Sequence, residues 1–220
     1  AQANAEKNLQ NAHALFESHL QSVFTQRGRG WVEKRLPDVA KEFGRGKSKH
    51  RPRNAPELLN GPHPFIQTGD VAGCDGYVRT FSNTYSDSGL RQSKLWPRGT
   101  LCITIAANIA KTGILMFDAC FPDSVVGFVS KHQATAEFVR LWLSFHQASL
   151  EASAPESAQK NINLSILRDL DVPLPPLQLQ EAFATRVAAV ERLKEALRAS
   201  LTNLDALFTS LQHRAFRGDL

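Results

Sequence analysis

The most regular pattern of apolar residues in the sequence lies between Gln178 and Phe216, near its C-terminal end. Its positions alternate at spacings of four and three residues, and all except Lys194 are apolar: Phe183, Val187, Val190, Lys194, Leu197, Leu201, Leu204, Phe208, Leu211 and Ala215. A 3.5-residue repeat of this length is typical of a helix that packs along another helix. Because no Gly or Pro interrupts the segment, the sequence predicts one continuous helix, about 58 Å long at 1.5 Å per residue.

The N-terminal end of the chain repeats part of this helix. The segment Ala14–Ser18 (ALFES) matches Ala206–Ser210 (ALFTS), and each copy leads into an Arg-Gly pair. The same spacing continues through the N-terminal copy at Ala5, Leu9, Ala12, Phe16, His19 and Val23. The sequence therefore predicts a helix from about Ala3 to Phe24, and an internal duplication whose two copies bracket the rest of the chain.

The middle of the chain has a different pattern, with short apolar runs bounded by turn residues. Strands are predicted at His63–Thr68, Tyr77–Phe81, Leu101–Ala106, Ile114–Phe117 and Val125–Ser130. Helices are predicted from Thr135 to about Leu150 and near Leu164–Leu170. The predicted fold class is α+β, a mixed α/β domain flanked by long N- and C-terminal helices. The predicted boundaries are residues 1–27, 28–176 and 177–220.

Composition narrows the functional classes. The formal net charge of +5 favours an acidic partner. Three cysteines without C-x-x-C spacing argue against a zinc site or a disulfide framework and favour a reducing, cytoplasmic compartment. The sequence contains no run of 18 apolar residues and starts with a polar segment, so neither a membrane span nor a signal peptide is expected. A first residue other than Met indicates either Met removal or a piece of a longer chain.

The most basic stretch runs from Gly44 to Arg53. Its cations are Arg45, Lys47, Lys49, Arg51 and Arg53, and its glycines would let backbone amides approach phosphates. Such loops bind nucleic-acid backbones through charge neutralisation and counterion release. The alternative is a solvated charged loop. A nucleotide-binding P-loop is disfavoured, because Lys41 stands where that motif needs its first Gly.

Polar clusters recur in the middle segment beside the predicted strands. Asn, Gln, Arg and Lys side chains can recognise base edges in the major groove, although each cluster alone is also typical of an ordinary loop. The candidates for DNA contact are Gln67, Thr68, Arg91, Gln92, Lys94, Asn108 and Lys111. Several such loops in one basic domain favour a nucleic-acid surface.

No catalytic constellation is recognisable in the sequence. Asp118 and Asp123 lack the acidic-x-Lys element expected of a metal-dependent nuclease. Neither a Gly-x-Ser-x-Gly elbow nor a zinc-deaminase signature occurs. The Leu174–Leu177 segment (LPPL) lacks the Asn/Asp-Pro-Pro-aromatic loop of a DNA methyltransferase. We therefore expect no catalytic residue, no metal ligand and no cofactor.

Three further features of the sequence belong together: the Ala-Leu-Phe-x-Ser repeat, the segment Phe65–Val71 (FIQTGDV), and the run from Gln159 to Glu181 that leads into the long helix. With these features the chain resembles one half of the specificity subunit of type I restriction-modification enzymes. The resemblance implies one DNA target-recognition domain between two spacer helices, which would pack as an antiparallel coiled coil. It implies recognition of one half of a split DNA target and docking of methyltransferase and ATP-driven restriction subunits. It also implies no catalysis by the chain itself.

A full specificity subunit has two recognition domains, whereas this sequence has one. It is therefore expected to be either a truncated or recombinant half, or a natural half-subunit that pairs with itself. The seam from Phe183 to Ala215 is longer than the segment Ala5–Val23 can cover, which favours a homodimer. The expected spacer and dimer positions are Leu9, Phe16, Val187, Val190, Leu197, Leu201, Leu204, Phe208 and Leu211.

Two other functions stay open at the level of sequence. One is a recognition fragment of a fused restriction-methylation enzyme, in which a methyltransferase would precede Ala1 on the same chain. The other is a coiled-coil interaction scaffold whose central domain binds protein. Binding to DNA that is sequence-specific and falls steeply with salt would separate a DNA-binding module from a scaffold.

Overall fold

The structure is a computed structural model that describes residues 2–50, 52, 55–152 and 162–217. Its helices are α1 (Gln2–Thr25), α2 (Leu36–Val39), α3 (Thr68–Ala72), α4 (Asp87–Arg91), α5 (Gln133–Phe145), α6 (Gln147–Ala152), α7 (Leu164–Asp169) and α8 (Leu177–Arg217). Its strands are β1 (Val32–Arg35), β2 (Ala40–Arg45), β3 (Leu59–Phe65), β4 (Tyr77–Val78), β5 (Asn83–Tyr85), β6 (Leu95–Trp96), β7 (Leu101–Thr104), β8 (Thr112–Leu115), β9 (Ala119–Cys120), β10 (Val125–Ser130) and β11 (Asp171–Leu174). The predicted α+β class, with a long helix at each end, is confirmed.

The chain forms two compact units. One contains Ala1–Arg27 together with Ala182–Leu220, and the other contains Gly28–Glu181. The division falls within α8, a few residues after the helix begins at Leu177. We call these the helical unit and the mixed unit.

In the helical unit, the C-terminal part of α1 packs on the N-terminal part of α8. The Phe24 ring lies 6.0 Å from the Phe183 ring, which joins the C-terminal end of α1 to the N-terminal end of α8. The heptad positions of α8 are buried or half-buried up to Leu204, whereas Phe208 is 57% exposed and Leu211 is 41% exposed. The prediction that α8 is longer than α1 can cover is therefore confirmed.

Lys194, the polar member of the apolar seam, is buried in the helical unit. Its ammonium Nζ lies 3.0 Å from Oε1 of Glu191, one turn earlier in α8. The side chain can occupy the seam because its aliphatic stem packs like an apolar residue while the charge is paired.

The mixed unit contains a five-stranded sheet in the order β2-β10-β7-β8-β4. Helix α5 contacts β8 and β10, and Phe138, Val139 and Leu143 are fully buried. The predicted single helix from Thr135 to Leu150 is wrong in extent: it is interrupted at His146, where the backbone ψ of 7° leaves the helical region. Phe145, the last residue of α5, is 39% exposed.

A second, four-stranded sheet has the order β5-β3-β9-β6. Strand β3 is parallel to β9, with Phe65 opposite Cys120, and antiparallel to β5, with Phe65 opposite Asn83. The predicted strand His63–Thr68 is shifted towards the N-terminus, because Thr68 already begins α3. This sheet positions the candidate functional site.

The remaining predicted elements differ mainly in length. Strand β10 has the predicted bounds, β7 and β8 overlap their predicted ranges, and β4 retains two residues of the predicted Tyr77–Phe81. Strands β1 and β11 form a separate antiparallel pair that the sequence did not indicate. Pro173 lies within β11, and a two-stranded pair tolerates it because an edge strand leaves one side unpaired.

Candidate nucleic-acid interface

The ends of three neighbouring strands meet at one edge of the four-stranded sheet. Because β3 and β9 are parallel, the residues that follow both strands emerge at the same edge. Strand β5 is antiparallel to β3, so its first residue, Asn83, lies at that edge too. The topology therefore brings together loops that are far apart in the sequence.

These loops enclose a pocket of about 370 Å³. Its lining combines two amides and two hydroxyls with an apolar wall: Leu59, Phe65, Gln67, Thr68, Asn83, Pro122 and Ser124. Phe65 is 3% exposed, whereas Gln67 is exposed. Polar hydrogen-bonding groups beside an apolar wall are typical of a recognition site. The pocket holds Gln67 and Thr68, which the sequence predicted as DNA contacts.

Asp70 fixes the backbone on two sides of this pocket. Its Oδ2 accepts a hydrogen bond of 2.8 Å from the backbone N–H of Gln67, at the start of α3. Its Oδ1 accepts a hydrogen bond of 2.6 Å from the hydroxyl of Ser82, which precedes Asn83. One carboxylate therefore connects the two loops that carry the pocket amides.

The described part of the basic stretch lies against the same pocket walls. The N–H of Gly46 donates to the carbonyl of Val125 at 2.9 Å, and a Cβ on Gly46 would lie 2.1 Å from the Phe121 carbonyl oxygen. Ser48 is buried and shares a hydrogen bond of 3.3 Å with the hydroxyl of Tyr85. The Tyr85 ring in turn stacks on Phe65, with ring centroids 3.9 Å apart.

This packing leaves alternate side chains of the basic stretch in solvent. Arg45, Lys47 and Lys49 are exposed, whereas Gly46 and Ser48 between them are buried. Three cations are therefore presented beside the polar pocket. Arg51 and Arg53, the other predicted phosphate contacts, lie outside the described residues.

The structure gives the predicted DNA contacts Arg91, Gln92 and Lys94 partners within the mixed unit. Gln92 Oε1 accepts a hydrogen bond of 3.0 Å from the backbone N–H of His50, and Arg91 donates to the Ser88 hydroxyl at 2.6 Å. Lys94 forms an ion pair with Glu42.

The ammonium of Lys94 also lies 3.9 Å from the centre of the Trp96 ring. Partial burial lowers the pKa of Lys94. This lysine is thus engaged by groups of its own domain, and Gln92 joins two loops of that domain. Their roles in binding DNA stay predictions.

Asn108 and Lys111 occupy the connection between β7 and β8. Lys111 donates from Nζ to Oε1 of Gln147, on α6, at 3.2 Å, and its backbone N–H donates to the Thr104 hydroxyl at 3.0 Å. Ala107 in the same connection has a φ of 63°, a conformation that costs a non-glycine residue energy. The connection reaches the pocket wall through Ile105, whose backbone N–H donates to the carbonyl of Ser124 at 3.0 Å.

The sequence placed Asn83 in the polar cluster Ser82–Lys94 but selected neither Asn83 nor Ser124 as a DNA contact, and both line the pocket. Both are short polar residues in segments whose periodicity carries no special signal. Their importance depends on the pairing of β3 with β5 and β9, which joins distant parts of the chain.

Other chemistry is not indicated by the described residues. Among them, no group of three or more His, Cys, Asp or Glu side chains is placed to hold a metal ion. Burial raises the pKa of the Cys102 and Cys120 thiols, which keeps them in the unreactive protonated form. No helix in the described ranges is long and apolar enough to cross a membrane.

The architecture defines a class of protein: a mixed α/β domain with a long helix at each end of the chain. A family model described as "Type I restriction modification DNA specificity domain" matches residues 28–203. The chain belongs to this family of type I restriction-modification specificity subunits.

Individual relatives are consistent with this assignment. The chain is 33% identical to the EcoBI specificity subunit of Escherichia coli over 132 aligned residues. The aligned segment covers 56% of this chain and 28% of that protein. It is 29% identical, over 99 residues, to the putative MjaX specificity subunit of Methanocaldococcus jannaschii, covering 44% of this chain and 23% of that protein. The chain thus spans about a quarter of the length of these curated relatives.

A solved structure shares the fold along almost the whole chain. The HsdS subunit from Thermoanaerobacter tengcongensis superposes with a TM-score of 0.68 and 19% identity, over 99% of this chain and 54% of that one. At this identity the match establishes the fold. The chain corresponds in extent to about half of that subunit.

Proposed function

We propose that this chain recognises one half of a split DNA target as the specificity component of a type I restriction-modification system. The observation that carries the proposal is the shared wall between the polar pocket and the exposed basic segment. Phe65, Tyr85 and Ser48 connect the two directly. A surface that places cations beside hydrogen-bonding amides can hold a DNA backbone and recognise base edges at the same time.

The two groups of residues have different tasks in this proposal. Arg45, Lys47 and Lys49 contact phosphates, together with Arg51 and Arg53 by extension of the same segment. Gln67 and Thr68 contact base edges from the pocket. Arg91, Gln92 and Lys94 support these loops through their contacts within the domain and reach DNA only at its margin. Asn108 and Lys111 contact DNA from the connection between β7 and β8.

The test is selection from a pool of randomised duplexes, followed by measurement of binding to the selected sequence at increasing salt. The expected result is one enriched half-site, bound with an affinity that falls steeply as salt rises. Enrichment of no sequence, with the chain folded and assembled with its modification subunits, would contradict the proposal. A scaffold that binds protein through the mixed unit predicts that negative outcome.

We further propose that the chain has no catalytic activity of its own. In this proposal methyltransferase subunits supply S-adenosylmethionine-dependent methylation, and ATP-driven restriction subunits supply cleavage. The helical unit would serve as a docking surface and as the spacer between half-sites. The compartment we propose is the reducing cytoplasm, consistent with the free state of Cys74, Cys102 and Cys120.

Docking can be tested separately from DNA binding. Purified chain and modification subunits should elute together in size-exclusion chromatography without DNA. If this chain carried a methyltransferase of its own on a longer polypeptide, it would methylate DNA without added modification subunits. Methylation mapping in cells that carry the chain with and without those subunits distinguishes the two arrangements.

A second copy of the chain is the partner we propose for the exposed end of α8. Phe208 and Leu211 continue the apolar seam beyond the part covered by α1, and both are exposed. The duplicated Ala-Leu-Phe-x-Ser segment means that another helix of the same type has the matching pattern. A twofold pair would carry two identical recognition domains and recognise a palindromic split site.

A further inference from the structure

The pocket chemistry suggests which base pair it recognises, an inference that rests on the proposed function. Its polar groups are the amides of Gln67 and Asn83 and the hydroxyls of Thr68 and Ser124. Asn and Gln side chains pair with adenine through its N6 and N7 atoms, whereas guanine is usually contacted by Arg or Lys and cytosine by Asp or Glu. Among the residues that the structure describes, no charged side chain lines the pocket.

The apolar wall adds a second preference. Leu59 and Pro122 line the pocket beside the polar groups. In the major groove, thymine differs from the other bases by its C5-methyl group, which is recognised by apolar contact. Two amides next to an apolar wall therefore complement both members of an A·T pair.

We infer that this pocket recognises an A·T base pair through Gln67 and Asn83, and that Asp70 is the positioning residue that holds both amides in place. Asn83 begins β5 directly opposite Phe65 on β3, so the sheet fixes its position. Gln67 is the N-cap residue of α3, and its backbone N–H is bound by the Asp70 carboxylate. The Gln67 side chain in turn accepts from the Asp70 backbone N–H, which orients the amide and leaves its NH2 group for the base. The second oxygen of Asp70 holds Ser82, the residue before Asn83.

The first experiment compares the half-sites selected by the wild-type chain, Asn83→Ala and Gln67→Ala, each assembled with its modification subunits. Each variant should lose about tenfold or more of its preference at one position, and that position should be A·T in the wild-type site. Asn203→Ala, an exposed change on α8, is the matched control and should leave the selected site unchanged.

Base analogues test the same contact from the DNA side. Replacing the thymine of that pair with uracil removes only the methyl group, and 7-deazaadenine removes only N7. Both should weaken binding by the wild-type chain. The Asn83→Ala and Gln67→Ala chains together should identify the amide that contacts N7, because the variant lacking that amide should be insensitive to 7-deazaadenine.

Asp70 is tested by Asp70→Asn and Ser82→Ala, of which the second removes only one of the two hydrogen bonds. Both should relax selection at the pocket position while the salt dependence of binding stays unchanged, because the cations are untouched. Asn163→Ala is the matched control: Asn163 caps α7 by accepting a hydrogen bond of 3.0 Å from the Ile166 N–H. This variant removes a helix-capping hydrogen bond of the same kind, and the selected half-site should stay unchanged.

The outcomes distinguish a failure of the proposed function from a failure of the pocket assignment. If the wild-type chain selects no sequence, the proposed function fails and this inference fails with it. If the wild-type chain selects a half-site but the pocket variants leave it unchanged, or alter a G·C position, the inference about the pocket is wrong and the proposed function stands. If Asp70 and Ser82 variants that keep the wild-type melting temperature also keep full selectivity, the positioning role is overturned.

Discussion

Single side chains on the candidate interface divide into those engaged within the domain and those left in solvent. Lys94 is paired with Glu42 and lies over Trp96, so its charge is already partly neutralised. Lys47 and Lys49 are exposed on a segment whose backbone is fixed by its neighbours, and the Ser93 hydroxyl donates to the Lys47 carbonyl at 2.7 Å. A cation on a fixed backbone can contact a phosphate without further loss of backbone conformational entropy.

The cations of this segment lead to the first prediction. Lys47→Ala or Lys49→Ala should weaken binding to all DNA sequences alike and reduce the slope of log affinity against log salt by about one. Titrations at several salt concentrations measure this slope. Lys7→Ala, an exposed change on α1, is the control and should leave the slope unchanged. A variant that changes sequence preference while keeping the slope would contradict a phosphate contact.

A buried ion pair in the mixed unit leads to a second prediction. Arg140 donates to the Glu137 carboxylate, both side chains are less than a tenth exposed, and the Tyr77 hydroxyl also donates to Glu137 at 2.9 Å. Arg140→Ala leaves the carboxylate buried without its cation, and should lower the free energy of unfolding by about 3–5 kcal/mol.

Denaturant unfolding measures this change. Arg35→Ala is the control, because Arg35 pairs at 3.5 Å with Asp169 and both side chains are more than half exposed. Exposed pairs contribute less than about 1 kcal/mol. A loss of the same size in both variants would show that burial of the Arg140 pair has no special energetic role.

At the scale of elements, α8 combines two environments along one apolar seam. The first part of the seam is covered by α1, and the last part is exposed. The helix continues through the exposed part without interruption, to Arg217. At 1.5 Å per residue α8 is about 62 Å long and α1 about 36 Å, so one copy of α1 covers little more than half of it.

Two phenylalanines on α8 provide a matched comparison. Phe183 is 5% exposed and packs on Phe24 and His19, whereas Phe208 is 57% exposed. Phe183→Ala should destabilise the chain by about 3 kcal/mol or more, because it leaves a cavity between the helices. Phe208→Ala should change the stability of the isolated chain by less than about 0.5 kcal/mol. Equal effects in thermal unfolding would contradict the observed burial of the seam.

At the scale of the whole molecule, the exposed end of the seam is the surface through which we propose that two copies associate. Burying the Phe208 and Leu211 side chains would contribute about 1.5–3 kcal/mol each. Sedimentation at micromolar concentration should show a dimer for the wild-type chain and a monomer for the double variant Phe208→Glu, Leu211→Glu. Leu193→Glu, also exposed on α8 but outside the seam, should stay dimeric. A wild-type chain that is monomeric at this concentration contradicts the homodimer.

The two long helices could be predicted because their signal is local: a repeat of 3.5 residues is visible without knowledge of any partner. The strands were less predictable. The sequence predicted that Thr68 lies in a strand. In the structure Thr68 begins α3, because the Asp70 carboxylate accepts a hydrogen bond from the backbone N–H of Gln67 at the start of that helix. Strands β1 and β11 were missed because each is short and exists through pairing between distant segments.

By itself, the sequence determined the helical arms, the mixed character of the middle segment, the basic stretch and the family resemblance. Only the tertiary structure decided which polar residues share a site. Gln67, Asn83 and Ser124 meet because β3 pairs with both β5 and β9, and such pairing depends on contacts between segments far apart in the chain. Likewise, only folding decided that Lys94 is paired while Lys47 stays exposed, because the sequence shows the charge of a side chain but not its neighbours.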